Sequence, residues 1–216
     1  MRTALFIFLV SLRMVALCQE PARYDALVKD AFAHYQKKTY RASAGRYSAA
    51  FEALGWKGYP QDRYSSNQVV VTRILDERGW LGADIVGRTG NSTLFLVIQH
   101  ADIATQEKYL PMMREAVAKG NAEASSLALL EDRVLIRHGE RQLYGSQVAR
   151  DKDTGDAYLS PLEDPDHVDE RRTTMGLGPL AGYLMNWNME WDVEAYKKQL
   201  PLIEERLENK PRTPIT

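Results

Sequence analysis

Hydrophobic positions recur at helical spacing along most of this chain. Tyr24, Leu27, Val28, Ala31, Phe32 and Tyr35 fall on one face, and after a Lys37-Lys38-Thr39 turn the pattern repeats at Tyr40, Ala44, Tyr47, Phe51 and Leu54. Residues 19–56 are therefore expected to form an antiparallel helix pair that resembles a single tetratricopeptide repeat. Stable arrays of that kind need about three repeats, so the pair reads as a packing module more than as a peptide-binding groove. The stretch from Gly55 to Tyr64 is a loop by its Gly and Pro content and marks a domain boundary. Residues 57–188 then form the main helical domain, and 189–216 a C-terminal helix and tail.

Within the main domain, Ser65 and Gln68 resemble a capping box opening a helix through Arg78, which Gly79 stops. Asn91 or Ser92 is expected to cap a helix whose apolar run, Leu94 to Ile98, is buried on most sides and leads into Gln99 and His100. Asp102 to Lys119 is helical and ends at Gly120, with Pro111 kinking it or opening a later helix. Asn121 is expected to cap a helix that carries Leu127, Leu130, Val134 and Leu135 and stops at Gly139. Gln147 to Leu162 predicts a short β-hairpin turning at Asp153 to Asp156. Asp166 is placed to cap a helix through Arg171 and Arg172, and Asp192 to start a last helix bent by Pro201. The fold class is mainly α, a helical domain with one short β-hairpin, preceded by the antiparallel helix pair.

Composition adds compartment and excludes partners. The chain has 216 residues, 44% hydrophobic and 26% charged, which suits one globular domain with an appended helix pair. A net charge of -1 lacks the basic footprint of a nucleic-acid or anionic-lipid binder, so neither partner is expected. Residues 1–18 read as a signal peptide: Arg2 is the positive start, and Ala4 to Leu12 is an apolar stretch too short to span a bilayer, interrupted by Arg13. Small residues Ala16 and Cys18 place cleavage before Gln19, which predicts a secreted or periplasmic protein. The alternative is a lipid anchor on Cys18, against which bulky Leu17 argues. Cleavage removes Arg2, Arg13 and no acid, moving the net charge from -1 to -3, and it removes the one cysteine. Without disulfides the protein must be held by its core, and no later segment is apolar enough to be transmembrane.

Candidate chemistry lies in polar residues set into apolar stretches: Gln99, His100, Asp102, Gln106, Asp132, Arg133, Tyr144, Gln147, Arg171 and Arg172. Burying such groups unpaired costs roughly 1–3 kcal/mol each, so they must find partners or do work. His100 follows the buried run and is expected to line the interior, as a general acid/base or as a satisfied core histidine. Asp102 can cap the helix that follows, orient His100, or both, and it shares a helix face with Gln106. Asp132 and Arg133 sit mid-helix, and one of them is expected to form an inward ion pair. Gly145 permits a positive φ that would turn the Gln147 amide inward.

Ser146 is a poor nucleophile candidate, since the G-x-S-x-G elbow is missing. Arg171 and Arg172 can clamp a carboxylate or phosphate, or simply be solvated. His100-x-Asp102, with His138 and Asp132, supplies isolated ligand types but no H-E-x-x-H or paired-cysteine spacing, and Gly87 to Gly90 lacks the Lys-Ser/Thr of a phosphate loop. No metal and no cofactor is expected.

An ordered series of motifs carries a resemblance. It runs through Gly79-Trp80, Ile85-Val86-Gly87, Gln99-His100-Ala101-Asp102, Gln106, Leu130-x-Asp132-Arg133-Val134, Gly139, Gln142-x-Tyr144-Gly145-x-Gln147, Val168-Asp169-x-Arg171-Arg172 and Gly176-Leu177-x-Pro179-Leu180. Together these resemble the domain-of-unknown-function family 6624 over roughly residues 61–183. Ser146 departs from the family's usual Thr, and Leu81 from the Pro that often follows Gly-Trp. The resemblance implies a mostly helical domain in which His100, Asp102, Asp132, Arg133, Tyr144 and Gln147 converge, and it implies no activity.

Two functions follow as expectations. In the first, a polar cleft binds a small polar ligand, and if the protein is an enzyme it is a hydrolase or transferase: His100 is the general acid/base, Asp102 or Asp132 orients it, and Gln147 with Arg133 or Arg171 holds substrate oxygens. In the second, the protein is a non-catalytic interaction protein with a protein partner, and the motif residues form a buried hydrogen-bond network that specifies the fold. Pocket geometry separates the two: open and unsatisfied for the first, closed and satisfied for the second.

Overall fold

A computed structural model describes residues 65–208 of the chain. The signal peptide and the helix pair expected over 19–56 lie outside the described residues. Those described are mainly helical: α1 (Ser65–Arg78), α2 (Ala83–Gln99), α3 (Ile103–Ala118), α4 (Ala124–His138), β1 (Val148–Arg150), β2 (Ala157–Leu159), α5 (Val168–Thr174), α6 (Leu180–Leu184) and α7 (Val193–Glu208). Short 3-10 turns at Pro165–His167 and Met185–Trp187 precede α5 and follow α6. None of the described helices is long and apolar enough to cross a membrane.

The chain divides into two compact units. One holds, among the described residues, 65–101 and 112–122, and the other holds 102–111 and 123–208. In the first, α1 and α2 contribute fully buried Val70, Val71, Ile74, Leu75, Leu94 and Ile98. Here α2 starts earlier than expected, at Ala83, and is interrupted at Gly87, whose φ of 71° is non-helical. Asn91 is therefore not a cap. It is buried inside the helix, and its Nδ2 donates to the carbonyls of Leu81 at 2.8 Å and Asn121 at 2.7 Å, tying two turns to the middle of α2.

In the second unit, α4 begins after Glu123, not after Asn121, and no side chain caps it. It ends as expected on Gly139 in the left-handed region, φ 80°, with Glu140 N–H bonded back to the Leu135 carbonyl. The hairpin forms where predicted, antiparallel with Ala149 opposite Tyr158. Asp192 caps α7 by accepting from Ala195 N–H at 3.0 Å. Asp166 does not cap α5: the chain enters through the 3-10 turn, and the Asp166 carboxylate instead meets Lys197 Nζ at 2.5 Å. Leu159, Leu162, Val168, Leu180, Leu184, Tyr196 and Ile203 form this unit's core, so the C-terminal helix packs on the hairpin and on α6.

Candidate functional site

Helix α4 and the loop that follows it carry four of the ten candidate residues, Asp132, Arg133, Tyr144 and Gln147. After Gly139 the chain reverses, and Gln142 joins the segment 161–163: its N–H donates to the Pro161 carbonyl at 2.8 Å, and its carbonyl accepts from Glu163 N–H at 2.9 Å. This carries Leu143 to Gln147 back alongside Asp132.

Asp132 is fully buried. Its Oδ1 accepts the N–H groups of Leu143 at 2.7 Å and Tyr144 at 3.0 Å, and its Oδ2 that of Ser146 at 2.9 Å. At Asp132 the carboxylate is thus met by a cradle of backbone amides. Burial lifts the Asp132 carboxyl above its ordinary value of 3.8, and the bonds from Ser146, Tyr144 and Leu143 pull it back.

The carbonyls of the same loop are met by cations and a phenol. Arg171 Nε donates to Leu143 O at 2.8 Å, Arg172 Nη1 to Tyr144 O at 2.6 Å, and the Tyr183 hydroxyl to Ser146 O at 2.8 Å. Arg172 also reaches Gly178 O through Nε at 2.6 Å and lies 5.3 Å from the Tyr183 ring centre. Only 3% of Arg172 is exposed, and burial pulls its guanidinium below its ordinary value against the fields of Asp169, Tyr183 and Asp132. Arg172 is thus buried rather than solvated, Arg171 stays partly exposed, and both give N–H donors to backbone carbonyls. Arg171 Nη2 also donates to Glu163 O and Asp164 O, and its Nη1 lies 3.6 Å from the Asp164 carboxylate.

Gln147 closes the loop. Its N–H donates to Gln142 Oε1 at 2.7 Å, and its carbonyl accepts from Gln142 Nε2 at 3.0 Å. The Gln147 side chain accepts from Arg133 Nε at 3.3 Å and donates to Ser146 Oγ at 2.9 Å. Gly145 has the positive φ expected, 66°, and a Cβ there would lie 2.9 Å from Leu180 Cδ1. The Tyr144 hydroxyl donates to Glu131 Oε2 at 3.2 Å.

The remaining candidates, Gln99, His100, Asp102 and Gln106, precede α4 in the chain. Gln99 is buried and His100 exposed, both in the first unit. The expectation that His100 lines the interior is overturned, because it is the C-terminal cap residue of α2 and its Nδ1 lies 2.8 Å from Leu96 O. Asp102, in the second unit, is exposed and caps α3: Oδ1 accepts from Thr105 N–H at 2.8 Å and Oδ2 from the Thr105 hydroxyl at 3.1 Å. Gln106 is fully buried one turn on, its N–H donating to the Asp102 carbonyl at 3.0 Å. His138 instead contacts Glu107, an exposed pair. The described residues contain no cluster of three or more His, Cys, Asp or Glu able to hold a metal.

Residues 62–195 match a family of unknown function, DUF6624. The chain belongs to this family. No match was found among curated proteins or among solved structures. The DUF6624 stretch contains every member of the loop network, from Glu131 to Tyr183. Gln142, Asp169 and Tyr183 were not among the candidates, although all three belong to the arrangement. Asp169 Oδ1 accepts from Leu180 N–H at 2.7 Å and thereby holds the helix whose first residue contacts Gly145. The signal that could have found them was the place of Gln142 and Asp169 inside the motifs that carry the resemblance.

Proposed function

We propose that this DUF6624 chain is a non-catalytic interaction protein whose motif residues hold the fold and leave its surface to do the binding. The supporting observation is the state of Asp132: wholly buried, with both oxygens occupied by loop amides. A general base needs its lone pairs within reach of a substrate proton, and these are spent on the backbone. Arg171, Arg172 and Gln142 are likewise engaged by backbone groups, which is the closed and satisfied pattern of a structural network.

Export is the second part of the proposal. It rests on the sequence of residues 1–18 and puts the protein outside the cytoplasm, secreted or periplasmic.

A catalytic reading retains one supporting observation, the exposure of His100, where a ligand can reach it. One pair of variants separates the readings. Asp132→Ala strands three amides and should lower unfolding free energy by roughly 3–5 kcal/mol, whereas His100→Ala should stay within about 1 kcal/mol of the parent. A stable Asp132→Ala protein in a denaturant titration would remove the structural reading. A His100→Ala protein that unfolds normally but loses ligand-induced stabilisation in a thermal-shift screen of small polar compounds would favour catalysis or ligand binding.

A further inference from the structure

The second unit contains a cavity of about 130 Å³ that the loop network does not use. Its aliphatic lining is Leu159, Leu184 and Ile203, with two small residues, Ala157 on β2 and Ala195 on α7. We propose that this cavity binds a small organic ammonium group, of the size and charge of trimethylammonium, and that the site is independent of the role given to Asp132.

Three observations point to that chemistry. Three aromatic rings line the cavity: Trp191 and Tyr196, with ring centres 5.3 Å apart at an interplanar angle of 48°, and Tyr158. The faces of such rings attract a poorly hydrated cation through their quadrupoles. The charged residues lining the cavity are both acids, Glu190 and Asp192, with no Lys or Arg. Glu190 is exposed and engaged in no ion pair among the described residues, so its charge is available at the rim. The size is suitable, because a cavity of about 150 Å³ holds one benzene molecule and a trimethylammonium head is of that order.

The walls are held in place before any ligand arrives. The Tyr196 hydroxyl donates to Ser160 O at 3.0 Å, and burial keeps that phenol protonated. The Met189–Asp192 segment is set by Asn188 in the left-handed region, φ 56°, and by Met189 N–H on Leu184 O at 3.2 Å. Arg206, outside the lining, lies 5.6 Å from the Tyr158 ring centre, its charge compensated by Asp151 at 2.9 Å.

The test is an NMR titration of the full chain, following the Trp191 indole N–H, assigned with Trp191→Phe. Tetramethylammonium and choline should shift it saturably, and 3,3-dimethylbutan-1-ol, the neutral isostere of choline, should bind about tenfold more weakly or worse. Glu190→Gln, an exposed change that leaves the fold intact, should weaken choline several-fold and leave the alcohol unaffected. Ala195→Leu should fill the cavity and abolish both responses. Co-sedimentation with phosphatidylcholine vesicles, reversed by tetramethylammonium, would assign the ammonium to a lipid head, and saturable choline binding without co-sedimentation assigns it to a free molecule. Absence of a saturable response to either cation, or equal binding of the alcohol, would overturn the proposal.

Discussion

Asp132 and Arg172 grip the same residue from opposite sides: the Asp132 carboxylate accepts the N–H of Tyr144 at 3.0 Å, and the Arg172 guanidinium donates to its carbonyl at 2.6 Å. An anion takes the donors of the loop and a cation takes its acceptors, and both charges are buried. Each would be costly alone, and the backbone dipoles of one five-residue loop compensate both.

Arg172 serves two carbonyls, Tyr144 O and Gly178 O, from two different nitrogens. A lysine offers one point charge and cannot span them. Arg172→Lys is therefore expected to lose roughly 2–4 kcal/mol in urea unfolding, nearly as much as Arg172→Met. A lysine variant within about 0.5 kcal/mol of the parent would show that charge alone suffices.

Gly145 and Gly139 both sit at positive φ, 66° and 80°, but only Gly145 faces a neighbour, since a Cβ there would stand 2.9 Å from Leu180 Cδ1. Gly139→Ala should cost about 1–2 kcal/mol for the left-handed backbone alone, and Gly145→Ala clearly more. Equal midpoints for the two variants would remove the steric part of this account.

Gln142 donates to the carbonyls of Gln147 and Ser160 and accepts from Gln147 N–H. Gln142→Glu keeps the shape but at neutral pH buries a charge facing two carbonyl oxygens. Its melting temperature should fall by several degrees at pH 7 relative to the parent and recover in part near pH 4, as the acid protonates and regains a donor. No dependence of that deficit on pH would contradict the assigned bonds.

His167 Nδ1 lies 2.9 Å from Asp164 Oδ2, and that hydrogen bond raises the histidine above its ordinary 6.5 while lowering Asp164 below 3.8. The histidine's contribution to stability is fully present below pH 6.5 and is lost as pH rises through its elevated value. The aspartate's is present above pH 3.8 and is lost as pH falls through its depressed value. An NMR titration should place His167 above 6.5 and return it towards that value in Asp164→Asn. Both groups are exposed, so the effect on global stability will be small.

What is legible in the sequence divides along the range of the interactions. Helix α1, the Asp102 and Asp192 caps, the Gly139 stop and the hairpin between Gln147 and Leu162 are all visible there, because each depends on residues within a few positions of one another. Asn91 and Asp166 depart from expectation for a shared reason. Local propensity marks Asn and Asp as caps, but Asn91 is claimed by carbonyls 10 and 30 residues away and Asp166 by Lys197, 31 residues on.

Polarity in an apolar stretch marks Asp132, Arg171 and Arg172 as groups in need of partners, yet it does not say which partners. Asp132 could have paired with any cation; its acceptor sites went to amides 11 to 14 residues later, because Gly139 and the Gln142–Leu162 bridge return the chain to that point. By itself the sequence determined a mainly helical DUF6624 chain, its caps and its turn, since periodicity and capping act between near neighbours. Only the tertiary structure decided which backbone groups Asp132, Arg171 and Arg172 meet, because a charge drawn out of water takes whichever opposite dipoles the fold brings within 3 Å.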